Sequence, residues 1–333
     1  MKFLNIDPKL AWESDFDISQ IVIQLEKESI KELKNAVLQA KVNPIGRVTG
    51  TIPSMPTLKK QFAEAKKKQL EFPGFCMFNG IQKHIDPDLW GSACRVFAPF
   101  MGEVIGQDLI DQTILDRISA TDQKKYNINI GDYLEIKSVS QKGGDFSKRW
   151  RYSDGKGGGD MHTDGVERPS KFTPKYFGQV MKHASRTGGK SLLISVPQIY
   201  LRLQKSSPKL LEVLHADFCF SLKGDKIDGK EYTTKPIFFK SGEKDGFDTI
   251  GVHYLRHYIH QGYELAGKSL TDIQIKALDA IDRELAHPDN LLVSDYVEGG
   301  IYLYNNYHTI HGRSSFEDHP GDRKRELLRV WTK

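Results

Sequence analysis

Apolar and polar positions alternate along this chain in two textures. Between Asp17 and Lys41, the residues Ile18, Ile21, Ile23, Leu25, Ile30, Leu33 and Val37 recur among charged neighbours at a helical period, which predicts one amphipathic helix over the whole stretch. A second helix is expected over Thr57–Leu70, a short strand at FPGFCMF after Pro73-Gly74, and further helix from Pro87 to about Gly106. From about Asn127 onward the pattern changes to short β-rich runs: INIGDYLEIKSVS, PKYFGQVMKHAS, KSLLISV, DFCFSLKG, KPIFFK, DTIGVHYL, NLLVSDY, GGIYLYNN and ELLRVWT. Helices over Val196–His215 and Thr271–His287 interrupt the series, the second opening on Thr271 as N-cap and stopping before Pro288.

Many short strands punctuated by turn residues predict a sandwich or barrel. The fold class expected is mainly β with added helices, a double-stranded β-helix (jelly roll) core. We read residues 1–333 as one catalytic domain, with a helix-rich lead-in at 1–125 and the jelly-roll core at 126–333. Two polar, Gly-rich connections, Gln141–Asp160 and Lys240–Asp248, read as mobile, and the first is placed to act as a lid.

Composition narrows the class without naming a function. With 38% hydrophobic and 27% charged residues, the chain is neither disordered nor membrane-embedded. Its formal charge of +5 is dispersed, so no basic stripe points to nucleic acid. Cys76, Cys94 and Cys219 are too scattered for a disulfide framework and read as small buried hydrophobes. The N-terminus carries no apolar signal segment, and the expected setting is cytoplasmic.

Chemistry enters through histidine and aspartate. In a strand, residues i and i+2 point to one side, so His-x-Asp offers two metal ligands together. The pair occurs four times, at His84/Asp86, His162/Asp164, His215/Asp217 and His287/Asp289. Three of them fall at helix entries, turns or strand starts, where capping explains them. The second stands in GGGDMHTDGVERP, before the strand PKYFGQVMKH, and is followed much later by NNYHTIHGRSSF and RKRELLRVW.

In that order, HTDG, GGKS, Asn-x-x-x-x-His-Gly-Arg and a terminal arginine strand resemble the clavaminate synthase-like, TauD-type branch of the Fe(II)/2-oxoglutarate dioxygenases, over about Phe72 to Trp331. The resemblance implies that His162, Asp164 and His311 bind Fe(II), leaving positions open for co-substrate and O2. His308 competes for the third place, but strand alternation turns it away from His311's face. Because Asp164 is present, the site lacks the Gly or Ala of related halogenases.

The resemblance further implies that Arg325 holds the far carboxylate of 2-oxoglutarate, a task suited to a planar fork of donors, with Ser191 as second anchor and Arg329 in a supporting or substrate role. Arg325 and Arg329 would share a face of an unbroken strand. Arg313, Arg323 and Lys324 read either as solvated surface charge or as functional cations, the first at least as readily. Glu167 is a candidate for a substrate ammonium, and Arg256, placed on a strand, for a substrate carboxylate. The implied reaction decarboxylates 2-oxoglutarate to succinate and carbon dioxide while oxidising a C–H bond of an amino-acid-like small molecule, by hydroxylation, ring closure or desaturation. Two other readings are a dioxygenase acting on protein or nucleic acid, and a non-catalytic metal-binding jelly roll. The sequence does not settle the oligomeric state.

Overall fold

The computed structural model describes residues 3–42, 48–49, 52–107, 133–137, 158, 160–321 and 323–333. In chain order the strands are β1 (Val22–Gln24), β2 (Lys41–Val42), β3 (Val48–Thr49), β4 (Phe75–Asn79), β5 (Val104–Ile105), β6 (Tyr133–Lys137), β7 (Tyr176–His183), β8 (Thr187–Gly188), β9 (Ser191–Ser195), β10 (Asp217–Ser221), β11 (Tyr232–Pro236), β12 (Phe238–Lys244), β13 (Phe247–Val252), β14 (Leu292–Ser294), β15 (Ile301–Asn305), β16 (Thr309–Arg313), β17 (Phe316–Glu317) and β18 (Glu326–Thr332). The α-helices are α1 (Lys27–Gln39), α2 (Pro56–Lys68), α3 (Trp90–Met101), α4 (Val196–Ser206), α5 (Pro208–Val213), α6 (Arg256–Leu265) and α7 (Asp272–Leu285).

The larger sheet runs β1-β4-β15-β7-β18-β5, with β6 also paired to β18. Every residue of β18 is buried, as expected of a strand with neighbours on both edges and layers on both faces. Helices α1 to α3 cover one face, where Leu33, Leu58, Phe62 and Phe97 join Phe78, Val180 and Val330 in one core. The smaller sheet, β14-β9-β16, lies against the other face. Strand alternation makes it two-sided: Leu193 joins the core of the larger sheet, while its neighbour Ile194 packs with Ile310, Ile199 and Leu203 in a second core under α4 and α7. These facing sheets form the expected jelly roll, and the lead-in is not separate from it, since β1, β4 and β5 complete its larger sheet.

Several local expectations needed correction. Helix occupies only Lys27–Gln39 of the Asp17–Lys41 stretch; before it come a 3-10 turn at Ile18–Ile21 and β1. Parallel pairing of Val22 to Met77 and Gln24 to Asn79 gives those residues backbone partners that a longer helix would forfeit. The Pro87–Gly106 stretch is helical to Met101 and then returns as β5. Pro208 divides the expected Val196–His215 helix into α4 and α5, because its ring cannot continue the first. Lys240–Asp248 is a tight hairpin, with Asp245 and Gly246 both at positive φ between paired Lys244 and Phe247. The α6 helix lacks a clear local signal, because Tyr258, Ile259 and Tyr263 on its buried face have strand-like character. The Thr271 cap holds, as a full capping box with Gln274. The lid expected over Gln141–Asp160 lies outside the described residues, apart from Gly158 and Asp160. Among the described residues, no helix is long and apolar enough to cross a membrane.

One charge is sealed in the second half of the fold. Lys235 on β11 is 1% exposed; its Nζ donates to the Arg168 carbonyl at 2.6 Å and stands 5.0 Å from the Phe220 ring centroid. Burial pulls its pKa from 10.5 to about 7, against the attraction of Glu167. The unfolded chain therefore binds more protons between those values, so this residue makes stability rise with pH over about 7 to 10.5. Urea titrations across that range should show the rise in the wild type and a flatter profile in Lys235→Met; equal slopes would contradict the assignment.

Candidate metal centre

The site is assembled where the two sheets face each other. His162 and His311 exchange both backbone hydrogen bonds, each N–H donating to the other's carbonyl at 2.9 Å. Directly opposed residues of an antiparallel pair project to the same side, and their rings lie 4.4 Å apart between centroids. On that side, His311 meets Phe177 of β7 at 4.6 Å and Tyr304 of β15 at 6.4 Å, both from the larger sheet.

Asp164 completes the group. Its Oδ1 is 3.9 Å from His162 Nε2 and 3.8 Å from His311 Nε2, and one ligand atom from each residue lies within 4.8 Å of the others. The Asp164 peptide is clamped by Asn306, which is fully buried: Asn306 Oδ1 accepts from Asp164 N at 2.8 Å, while Nδ2 donates to the carbonyls of Asp164 and Pro174. Its carboxylate accepts from Arg329 Nη1 at 2.7 Å and from Trp331 Nε1 at 2.9 Å. Burial alone would raise the Asp164 pKa, but Arg329, the two imidazoles and the indole outweigh it and hold the carboxyl below its usual range. Gln107 fixes Arg329 in turn, accepting from Nε and donating to its carbonyl.

The donor set fits a divalent metal. His162 Nδ1 is 2.7 Å from the Asp160 carbonyl, which can only accept, so the proton sits on Nδ1 and Nε2 keeps its lone pair. Burial first, then the neighbouring His162, lowers His311 to about 3, leaving a neutral imidazole. Two imidazoles and one carboxylate on one side, with no thiolate, match an open octahedral site better than a closed zinc site.

The competing His308 and the other His-x-Asp pairs are engaged elsewhere. His308 is buried beside Gly74, hydrogen-bonded to the Glu71 backbone, with its pKa lowered to about 4 chiefly by burial. Asp86 caps the Pro87–Leu89 turn, His287 caps Pro288–Asn290, and His215 Nε2 meets the Tyr200 hydroxyl at 3.0 Å.

The remaining candidates separate into two corners and two outliers. Arg329 stands at Asp164, whereas Arg325 lies over Tyr296 and Phe316, with Ser191 buried nearby on β9. The two arginines do not share an unbroken strand, because β18 begins at Glu326 and its register against β7 shifts between Glu326 and Leu327. Arg313, left between surface charge and function by the sequence, is half-buried with its guanidinium 4.4 Å from the Phe316 centroid. Arg323 is on the surface, paired with Glu298. Glu167 is half-buried and interacts with Lys235. Arg256 is helical, not on a strand; it opens α6 and pairs with Asp279 at 2.9 Å and Asp282 at 2.8 Å on α7.

The site also contains residues that sequence reasoning did not single out. Asn306 stands inside the Asn-x-x-x-x-His-Gly-Arg motif, which was its signal; Trp331 and Gln107 had none, since their roles depend on strands brought together from distant parts of the chain.

A jelly roll with this triad between its sheets defines a mononuclear non-haem metal dioxygenase. The chain belongs to the family described as taurine catabolism dioxygenase TauD, TfdA family, whose model matches residues 30–331. It is similar to FR-33289 synthase from Streptomyces rubellomurinus (strain ATCC 31215), 25% identical over 150 residues, which are 44% of this chain and 43% of that protein. The match thus spans less than half of that relative's length. Among solved structures, it resembles asparagine oxygenase in complex with Fe(II), 2S,3S-3-hydroxyasparagine and succinate, at TM-score 0.64 and 14% identity over 94% of this chain and 93% of that one. It also resembles the non-haem iron oxygenase OrfP in complex with Fe and α-ketoglutaric acid, at TM-score 0.59 and 12% identity over 94% and 93% of the two chains.

Replacing His311 by Ala should abolish tight binding of one divalent ion in a calorimetric titration, while His308→Ala should leave it; the reverse would transfer the ligand role. Asn306→Ala should weaken metal binding by about 10- to 100-fold, because it frees the peptide that aims Asp164. Undiminished affinity in that folded variant would show that the clamp is dispensable.

Proposed function

We propose that this protein is an Fe(II)- and 2-oxoglutarate-dependent oxygenase that oxidises a C–H bond of an amino-acid-like small molecule, by hydroxylation, ring closure or desaturation. The observation that carries the reading is the convergence of His162, Asp164 and His311 beside a corner holding Arg325 and Ser191. The choice of substrate class is supported by the hydroxylated asparagine bound to one structural relative and the 3-hydroxy-L-arginine bound to OrfP.

In this reading the triad holds Fe(II), and the bound metal supplies the activation of O2 that no side chain can perform. Arg325 and Ser191 receive the far carboxylate of 2-oxoglutarate, so that its 2-oxo acid end is directed to the metal. Arg329, fixed by Gln107, neutralises and orients Asp164. Phe177 and Tyr304 wall the site beside His311 and exclude water from it. The lid role of Gln141–Asp160 and substrate contacts by Glu167 and Arg256 are not needed for this account; the last is engaged by α7.

The test is incubation of the purified protein with Fe(II), O2, 2-oxoglutarate and a panel of amino acids, following succinate by mass spectrometry. One amino acid should stimulate succinate formation and yield a product heavier by one oxygen or lighter by two hydrogens. Absence of succinate from the metal-loaded protein with every amino acid would overturn the reading.

A further inference from the structure

The corner around Phe316 contains one more cation than a single co-substrate arginine requires. Antiparallel pairing of β16 with β9 sets Arg313 directly opposite Ser191 and His311 opposite Leu193. Residues 311 and 313 share a face, as do 191 and 193, so Arg313 and Ser191 project with His311 toward the larger sheet. Arg325 enters the same corner from the segment before β18. Its stem crosses Gly189, where φ is +69° and a Cβ would come 2.5 Å from Ser185 Oγ and 3.1 Å from Arg325 Nε.

Both guanidinium groups then rest against one ring, Arg313 at 4.4 Å and Arg325 at 5.3 Å from the Phe316 centroid. Arg325 also stands 5.7 Å from the Tyr296 centroid, is 5% exposed, and its Nε has no hydrogen-bond partner among the described residues. The Tyr304 hydroxyl interacts with both Ser191 and Tyr296, lining the corner with further polar groups. Asp318 attracts both guanidinium groups and accepts from the Arg325 backbone at 2.8 Å. Two guanidinium groups side by side repel one another, and a further anion bound between them lowers that repulsion. Burial first, and Arg325 second, pull the Arg313 pKa to about 10.

We propose that Arg313 is a second binding residue for the far carboxylate of 2-oxoglutarate, acting with Arg325 and Ser191 to make this end of the site selective for 2-oxo dicarboxylates over 2-oxo monocarboxylates. The proposal rests on the co-substrate reading above. Two planar forks and a hydroxyl together match the several lone pairs of one carboxylate, and the aromatic ring beneath keeps both forks oriented.

The test measures binding, not turnover. The full chain, loaded with Zn(II) and kept free of oxygen, is titrated by calorimetry with 2-oxoglutarate and with pyruvate, which lacks the far carboxylate. Arg313→Met should weaken 2-oxoglutarate by about 10- to 100-fold, the worth of one or two charge-assisted hydrogen bonds, and leave pyruvate unchanged. Arg313→Lys should recover part of the loss and guards against misfolding of the Met variant. Equal losses for both acids in the Met and Lys variants would show a structural role and overturn the proposal. So would loss of 2-oxoglutarate binding in Arg325→Met with none in Arg313→Met, an outcome that leaves the proposed function standing. A wild-type chain that binds 2-oxoglutarate no better than pyruvate would overturn both.

Discussion

Two reciprocal backbone hydrogen bonds, between His162 and His311, hold this site together. They join a segment near the middle of the chain to the last strand of the smaller sheet, and they set the direction of both imidazoles at once. A slip of one residue in this pairing would turn one ring to the opposite face, into the second core beside Ile310. The register is held from both sides: Thr163 is bonded to Tyr254, and Asn306 grips the peptide of Asp164.

Electrostatics follows from that geometry. A carboxylate buried between sheets is costly, and its stability here depends on Arg329 and Trp331, which donate to it. The Trp331 ring lies 4.9 Å from the guanidinium carbons of both Arg168 and Arg329, so the indole that donates to Asp164 is itself held between charged, planar neighbours. The metal centre and the corner around Phe316 lie on the same face of β16, two residues apart. One strand therefore carries a metal ligand and, two residues on, an arginine beside the proposed co-substrate anchor.

Elements with strong local signals were legible. The Thr271 capping box, the strand at Phe75–Asn79 and the run ELLRVWT needed only period, caps and turn residues to be found. Elements stabilised by distant partners were not. Val22–Gln24 forms a strand only because β4 offers it an edge, and Arg256 opens a helix whose apolar face is rich in tyrosine. The Asp245-Gly246 turn is a counterexample: its signal is local, an Asp-Gly pair at positive φ, yet its polar, Gly-rich surroundings resemble those of a loose connection.

By itself the sequence determined which residue types are available and in what order: a His-x-Asp pair after a glycine-rich approach, a later His-Gly-Arg, and arginines beyond it. It also determined the mainly β texture, because alternation and turn chemistry are local. Only the tertiary structure decided that His162/Asp164, of four such pairs, meets His311, because convergence is a matter of sheet register between segments far apart in the chain. It likewise decided that Arg329 serves Asp164, that Arg256 serves α7, and that Arg313 leaves the solvent for Phe316, since a side chain's partner depends on what the fold brings opposite it.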